Sequence, residues 1–380
     1  MNNPKNKQMK DILHICVVTG ARPNFIKVAP LIWAVKNNPG QFSNIKLQLV
    51  YTGSQDDMDV EPTLLSDLAI PQDEVVFLGI VSNRINELTG LVMNAFDRYL
   101  DQHPTDAVVV VDDLASTMAA AIVTKKRGLT LAHLVAGTRS FNINMPKEIN
   151  RLVIDGLSDL LFTAGDGGNC IASREGADPS KVFIVGNVLI DTLRHHLGKM
   201  EKPGLLDQLQ LKDQGYIAFT LNRKALIADK AKLGALLEPL LKASTALPVI
   251  AILRKEAMEA VAALLPAHHP HFHLAEPLGY RQFLYLTAHA QGIVTDSGNV
   301  AEEATFNHVP CITLNSYTEH IETVKEGTNV LVGEDPQQLQ EALQQLVQGT
   351  WKEGHLPDRW DGRSAERILR ILSEEIQKHH

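Results

Sequence analysis

Short apolar runs rich in β-branched residues alternate with segments of helical periodicity along most of the chain. The first run, 12–18, precedes a mostly apolar helix at 25–35 that contains Pro30. Further strands are predicted at 46–52, 107–111, 129–134, 160–163, 182–185, 216–221, 248–253, 273–275, 292–295 and 310–314. Strand, helix and strand in this rhythm predict right-handed crossovers and a parallel sheet with helices on both faces.

A polar stretch at 194–214, where no strand can be placed, interrupts this rhythm. The chain has 380 residues, which is more than one hydrophobic core usually covers. We therefore predict an α/β protein of two doubly wound Rossmann-like domains, 1–188 and 189–363, followed by an amphipathic helix in 364–380. Two such domains facing a central cleft would bring the carboxyl ends of both sheets to one ligand site.

Composition narrows the classes of partner. A net charge of -8 and a pI near 6.0 argue against binding to nucleic acid or to an anionic membrane. The first apolar run is too short for a membrane span or a signal peptide. Three cysteines far apart in sequence favour reduced thiols in a cytoplasmic protein.

The segment 295–303 has the form of an anion-binding turn, because small polar residues link an apolar strand to the start of a helix. The amides of Ser297 and Gly298 would hold a phosphate, and Glu302 and Glu303 could accept hydrogen bonds from a ribose. The alternative is an ordinary turn with Ser297 as helix N-cap.

The first strand-to-helix turn lacks the G-x-G-x-x-G pattern, so the main sequence evidence for binding of NAD or FAD is missing. It offers Arg22 and Lys27 instead, two cations suited to phosphate. The alternative for Arg22 is a surface ion pair.

Carboxylates follow the apolar strand 107–111. Asp112 and Asp113 should point to opposite faces if they continue the strand, and we expect Asp113 to reach the site. Either carboxylate could instead cap the helix near Ser116.

A helix start at 145–151 supplies further charge. Glu148 suits the positive end of the helix dipole, whereas Lys147 opposes it, which indicates a role in a site. Two other kinds of site are disfavoured. The histidines of 268–273 cannot converge on one metal ion, and no G-x-S-x-G elbow of a serine hydrolase occurs. No metal and no cofactor are predicted.

Several segments together resemble the non-hydrolysing UDP-N-acetylglucosamine 2-epimerases. They are 20–30, 145–151, 185–187 with 190–191, 279–283, 295–303, 319–322 and 327–333. The resemblance covers nearly the whole chain and implies a fold of the glycosyltransferase-B type, with the last helix packing back on the first domain.

The resemblance also implies residue roles. Phe283 would support the uracil, Ser297 and Gly298 the diphosphate, and Glu303 the ribose, with Arg22 reaching in from the first domain. Lys27, Asn222 and Arg223 complete the predicted UDP-sugar site.

In the reaction implied by the resemblance, the sugar loses its C2 proton and UDP, and both are then added back with C2 inverted. Asp113 matches the family's catalytic aspartate, and Glu148 the second glutamate of its Pro-Glu-Glu. Val135 stands where the family has a glutamate, Lys147 where it has another, and Asn222 where it has a histidine. Lys147 is either a replacement acid or base or a permanent cation paired with Asp113 and Glu148.

Three functions remain open from the sequence. The first is an epimerase-like enzyme of polysaccharide precursor synthesis that acts on a UDP-2-acetamido sugar through Asp113, Lys147 and Glu148. The second is a UDP-sugar-binding regulator or partner subunit without epimerase activity. The third is a nucleotide-sugar hydrolase or glycosyltransferase on the same scaffold. By the resemblance, a homodimer is expected.

Overall fold

The chain divides into two compact units in a computed structural model, which describes residues 12–57, 60 and 63–379. Unit one contains the described residues up to Thr192 and those from Asp358 onward, and unit two is Leu193–Pro357. The predicted domain limits were 188 and 363.

Unit one contains a seven-stranded parallel sheet. Its strands are β1 (Leu13–Thr19), β2 (Ile45–Tyr51), β3 (Val75–Phe77), β4 (Ala107–Val111), β5 (Thr130–Leu134), β6 (Leu160–Thr163) and β7 (Val182–Ile184). Its helices are α1 (Arg22–Asn37), α2 (Pro39–Phe42), α3 (Leu64–Asp67), α4 (Ile85–Gln102), α5 (Ala115–Lys126), α6 (Pro146–Leu157) and α7 (Asp166–Arg174). Helix α8 (Val188–His196) contains the boundary at Thr192. The strand order is β3-β2-β1-β4-β5-β6-β7, and β4 is buried along its whole length.

Unit two contains a six-stranded parallel sheet in the order β10-β9-β8-β11-β12-β13. Its strands are β8 (Ile217–Phe219), β9 (Val249–Ile252), β10 (Phe272–Ala275), β11 (Gly292–Thr295), β12 (Cys311–Thr313) and β13 (Asn329–Leu331). Its helices are α9 (Gly204–Gln208), α10 (Lys224–Ala228), α11 (Lys230–Ser244), α12 (Lys255–Ala262), α13 (Tyr280–Ala288), α14 (Gly298–Phe306), α15 (Glu322–Lys325) and α16 (Pro336–Gln348).

The doubly wound α/β fold predicted from the sequence is confirmed, and each predicted strand overlaps an observed one. Strands β3 and β13 were not predicted. Both are three residues long and lie at the edge of a sheet, and the apolar residues at 75–78 and 330–332 were not assigned to strands. Among the described residues, no helix is long and apolar enough to cross a membrane.

The last helix, α17 (Ser364–His379), belongs to unit one and packs against α1. The buried carboxylate of Asp191 accepts hydrogen bonds from the backbone amides of Ser364 at 3.2 Å and Ala365 at 2.8 Å. These amides have no partner within the helix, so Asp191 anchors the helix N-terminus to α8.

This anchor gives a pH prediction. Burial outweighs the two amide hydrogen bonds and raises the pKa of Asp191 to about 6, above the ordinary value of 3.8. A raised folded-state pKa stabilises the fold below pH 4, and this contribution is lost as the pH rises through 6. We expect the wild type to lose about 2–3 kcal/mol relative to Asp191→Asn between pH 4 and 6.5 in urea unfolding. Parallel pH profiles of the two proteins would contradict this.

Candidate functional site

The strand order of each sheet reverses at one point. In unit one the reversal lies between β1 and β4, and in unit two it lies between β8 and β11. Ligands of open parallel sheets bind beyond the carboxyl ends of strands at such a point. The predicted site residues Arg22, Lys27 and Asp113 follow the first pair of strands, and Asn222, Arg223, Ser297 and Gly298 follow the second pair.

Asp113 lies in unit one and is held by two cations. Arg151 donates to its carboxylate from Nε at 2.8 Å and from Nη2 at 2.5 Å, and the Lys147 ammonium lies 3.3 Å away. Burial alone would raise the pKa of Asp113, but Lys147 and Arg151 outweigh it and hold that pKa below its ordinary value. Asp113 is therefore a carboxylate near neutral pH, with Lys147 as its half-exposed neighbour.

Glu148 is buried, and its oxygens are engaged in the loop before α6. They accept hydrogen bonds from the Ser140 amide at 2.9 Å, the Ser140 hydroxyl at 2.8 Å and the Phe141 amide at 3.0 Å. Arg151 Nη1 donates a fourth at 3.1 Å. Burial, which would raise the pKa of Glu148, is outweighed by these hydrogen bonds, and that pKa is lowered. Glu148 thus holds the loop and Arg151 in place.

Asp112 does not continue strand β4. The prediction that the side chains of Asp112 and Asp113 point to opposite faces of the sheet assumed that it did, and this assumption is wrong. Strand β4 ends at Val111, and Asp112 has a left-handed φ of 57°. Its carboxylate accepts hydrogen bonds from Lys27 Nζ at 2.6 Å and Asn24 Nδ2 at 2.8 Å. The capping alternative is also wrong, because α5 has no side-chain cap. The predicted contact between Lys27 and a phosphate stays a prediction, and Lys27 is already paired.

A buried hydrogen-bond network holds the turn at Asp112 in place. His133 Nε2 lies 2.9 Å from the backbone oxygen of Asp112, and Nδ1 lies 2.6 Å from Asp155 Oδ1. Arg139 donates to the other Asp155 oxygen at 2.6 Å. Burial, which would raise the pKa of Asp155, is outweighed by His133 and Arg139, so that pKa is lowered. Sequence reasoning assigned no role to these residues or to Arg151, although the spacing of Arg151 from Lys147 places both on one helix face.

Val135 has a left-handed φ of 66°, which is unfavourable for a β-branched residue. Because asparagine tolerates this conformation, we expect Val135→Asn to raise the free energy of unfolding by about 0.5–1 kcal/mol in urea titrations. Gly137→Ala is the matched control of opposite sign. Gly137 has a φ of 73°, and an added Cβ would lie 2.2 Å from the Gly168 carbonyl oxygen. A loss of stability in Val135→Asn would contradict the strain at this turn.

In unit two, Asp296 joins the two strand ends. Its Oδ2 accepts hydrogen bonds from the backbone amides of Asn222 at 2.8 Å and Arg223 at 2.6 Å. Burial outweighs these bonds and raises the pKa of Asp296. The Arg223 guanidinium pairs with Glu334 at 2.7 Å. Asp296 therefore positions the two predicted UDP-sugar residues beside the start of α14.

Ser297 occupies the N-cap position of α14, but its side chain makes no cap hydrogen bond. Its amide donates to Thr295 Oγ1 at 3.0 Å, so the predicted phosphate contact of this amide would have to replace that bond. The amide of Gly298 begins the helix, where amides have no partner within the helix. An added Cβ on Gly298 would come within 3.2 Å of Glu319 Oε2, so the absence of a side chain leaves space between Gly298 and Glu319.

The remaining predicted residues differ in exposure. Glu303 is buried on α14, and Phe283 on α13 packs half-buried against the core of unit two. Arg22 begins α1 and is half-buried. No group of histidine, cysteine, aspartate and glutamate side chains suited to a metal ion occurs among the described residues.

A sequence profile that describes UDP-N-acetylglucosamine 2-epimerases matches residues 39–373. The chain belongs to this family. It is 31% identical over 378 residues to the UDP-N-acetylglucosamine 2-epimerase of Methanocaldococcus jannaschii, covering 95% of this chain and 99% of that protein. It is 30% identical to the UDP-2,3-diacetamido-2,3-dideoxy-D-glucuronate 2-epimerase of Pseudomonas aeruginosa, covering 84% of this chain and 88% of that protein.

Solved structures of the family agree with the fold. The M. jannaschii UDP-GlcNAc 2-epimerase in complex with UDP-GlcNAc and UDP matches with a TM-score of 0.82 and 30% identity, over 95% of this chain and all (100%) of that chain. The Neisseria meningitidis UDP-GlcNAc 2-epimerase bound to UDP-GlcNAc matches with a TM-score of 0.85 and 25% identity, over 95% and 100% of the two chains. The chain is therefore a UDP-GlcNAc 2-epimerase-like protein with the glycosyltransferase-B type of architecture.

Proposed function

We propose that this epimerase-family protein acts on a UDP-2-acetamido sugar and exchanges the proton at C2 of the sugar. The observation that carries the proposal is the pair of Asp113 and Lys147, a carboxylate and an ammonium 3.3 Å apart beside the reversal point of unit one. In unit two, the turn at Ser297 and Gly298 supplies the diphosphate contacts, and Glu303 and Phe283 the nucleoside contacts.

The pair supplies a base and an acid. Asp113 is ionised and accepts the C2 proton, while Lys147 carries a proton that it can donate. Arg151 keeps the Asp113 carboxylate oriented, and Glu148 keeps Arg151 and the loop 140–141 in place. Glu148 is thus proposed to position the reacting groups, because its four hydrogen bonds come from Arg151 and the loop 140–141, whereas the Asp113 carboxylate also meets the exposed Lys147.

Incubation with UDP-N-acetylglucosamine in deuterated water tests the proposal. We expect deuterium at C2 and formation of the C2 epimer, and both signals should disappear in Asp113→Asn. Nuclear magnetic resonance of the sugar protons reports both events in one sample. Unchanged substrate with no deuterium would exclude C2 chemistry on this substrate.

A second candidate function is binding of a UDP-sugar without epimerisation. It is favoured by Val135 and Asn222, which stand where the family has proton-carrying residues and are neither acids nor bases near neutral pH, and by Lys147 if it serves only as a permanent cation paired with Asp113. Calorimetric titration with UDP and UDP-N-acetylglucosamine separates the two functions. Binding without deuterium exchange selects the binding function, and absence of binding removes both.

We also propose that the protein works in the cytoplasm as a homodimer. The exposed apolar residues Ile149 and Leu152 on α6, with Ile85 and Leu91 on α4, offer a surface for a second copy. Both helices pack against α5, so these residues belong to one helical layer. Light scattering after size exclusion should give twice the chain mass, and Leu152→Glu should give the monomer. A monomeric wild type at micromolar concentration would refute the homodimer.

A further inference from the structure

The β1/β4 reversal point of unit one, where open parallel sheets bind ligands, contains a protein carboxylate. Asp112 places its two oxygens on Lys27 Nζ at 2.6 Å and Asn24 Nδ2 at 2.8 Å. Both Lys27 and Asn24 come from the first turns of α1, directly after β1. A cation and an amide donor at this position form a receptor for an anion.

The local backbone shows that this arrangement is built into the turn. Asp112 has a φ of 57°, which aims its side chain back toward α1 instead of along the strand. Its backbone oxygen lies 2.9 Å from His133 Nε2, which fixes the turn from the other side. Asn24 is also fixed, because its Oδ1 accepts a hydrogen bond from the Gly20 amide at 2.9 Å.

The pair between Lys27 and Asp112 is enclosed. The Lys27 side chain is 5% exposed and the Asp112 side chain 16% exposed. A second anion reaching Lys27 would have to displace Asp112 and then lie beside its charge, which is unfavourable at this depth. An uncharged ligand group faces neither cost.

We propose that Asp112 is a resident anion that occupies the receptor formed by Lys27 and Asn24. The crevice therefore admits uncharged sugars and rejects sugars that carry a carboxylate. This inference rests on the proposed function, because it sets the substrate class of the same UDP-sugar site. It selects an uncharged sugar, whereas the names of the relatives include both an uncharged sugar and a glucuronate.

Asp112→Gly and Asp112→Asn test the role of this charge. Glycine and asparagine both tolerate the left-handed backbone, so either variant keeps the turn. The ligands are UDP-glucose and UDP-glucuronic acid, which differ only in a hydroxymethyl or carboxylate group at C5 of the sugar. We expect the wild type to bind UDP-glucose at least about tenfold tighter than UDP-glucuronic acid, and both variants to reduce this ratio about tenfold.

Two controls locate the effect. Asp101→Asn makes the same charge change at an exposed position near the end of α4 and should leave the ratio unchanged. Lys27→Met combined with Asp112→Gly should not show the tighter binding of UDP-glucuronic acid expected of Asp112→Gly alone, because the receptor has lost its cation. Equal ratios in the wild type and both Asp112 variants would overturn the resident-anion role.

Inorganic phosphate keeps this test separate from the proposed function. If the wild type binds neither UDP-sugar, the proposed function fails. The effect of phosphate on the melting temperature then tests whether Asp112 occupies the receptor. Phosphate should raise the melting temperature of Asp112→Gly more than that of the wild type or of the double variant. The same phosphate shift in all three proteins would overturn the inference.

Discussion

The combined variant Val135→Glu, Lys147→Glu and Asn222→His is expected to raise the rate of C2 deuterium exchange at least about 10²-fold over the wild type. General acid and base groups each contribute about 10²–10⁴ to a rate, and these substitutions introduce at all three positions the proton carriers that the resemblance implies, with the glutamate introduced at position 147 taking over the proton donation proposed for Lys147. Asp113, which the resemblance matches to the family's catalytic aspartate, lies between strand β4 and helix α5. The measurement is deuterium incorporation into UDP-N-acetylglucosamine at equal protein concentration.

Single variants provide the control for this gain. Groups that act as a unit are strongly non-additive, so Val135→Glu and Asn222→His alone should each recover only a small part of the rate, and Lys147→Glu alone should lower it because it removes the proposed proton donor. Adding Asp113→Asn to the combined variant should abolish the gain. If the combined variant binds UDP and still exchanges no faster than the wild type, these three positions are not what limits the reaction.

Much of the fold follows from sequence pattern because buried strands leave continuous apolar runs. Strand β4 is predicted at 107–111 and observed at Ala107–Val111, with every residue buried. Strand β3 has only three residues, of which Val75 alone is buried, and the apolar run 75–78 that contains it was not assigned to a strand. The alternation of strands and helices fixed the expected sheet type, and the observed strand orders agree with it.

The site is less predictable, because it depends on groups that meet only in the folded chain. Of the two alternatives for Lys147, pairing with Asp113 is observed at 3.3 Å, whereas its part in proton transfer stays a prediction. The contact of Asp112 with Lys27 was not predicted, because the expected alternation of Asp112 and Asp113 between the two sheet faces assumed that the strand continued beyond Val111. A left-handed residue has no periodic signal, and although aspartate is enriched in this conformation, its presence alone does not mark such a position.

Arg151→Met is expected to cause the largest loss of stability, about 3–5 kcal/mol at pH 7, because it leaves buried carboxylates without their shared cation. Arg151 is 1% exposed and donates to both Asp113 and Glu148. Urea unfolding measures the loss. Arg370→Met is the control, because the Arg370 side chain is 63% exposed and its stability change should be within error.

The pH dependence of this loss separates the missing charge from missing packing. In the wild type the pKa values of Asp113 and Glu148 are lowered, so their stabilising contribution is complete above the ordinary carboxyl pKa of about 4 and is lost below it. Without Arg151, burial should raise both pKa values. Protonation of the Asp113 and Glu148 carboxyl groups should then reduce the destabilisation of the variant as the pH falls from 7 to 5. The stability difference between wild type and variant should therefore shrink over this range. A difference that stays constant from pH 7 to 5 would mean that Arg151 acts through packing, and that Asp113 keeps its charge by pairing with Lys147 alone.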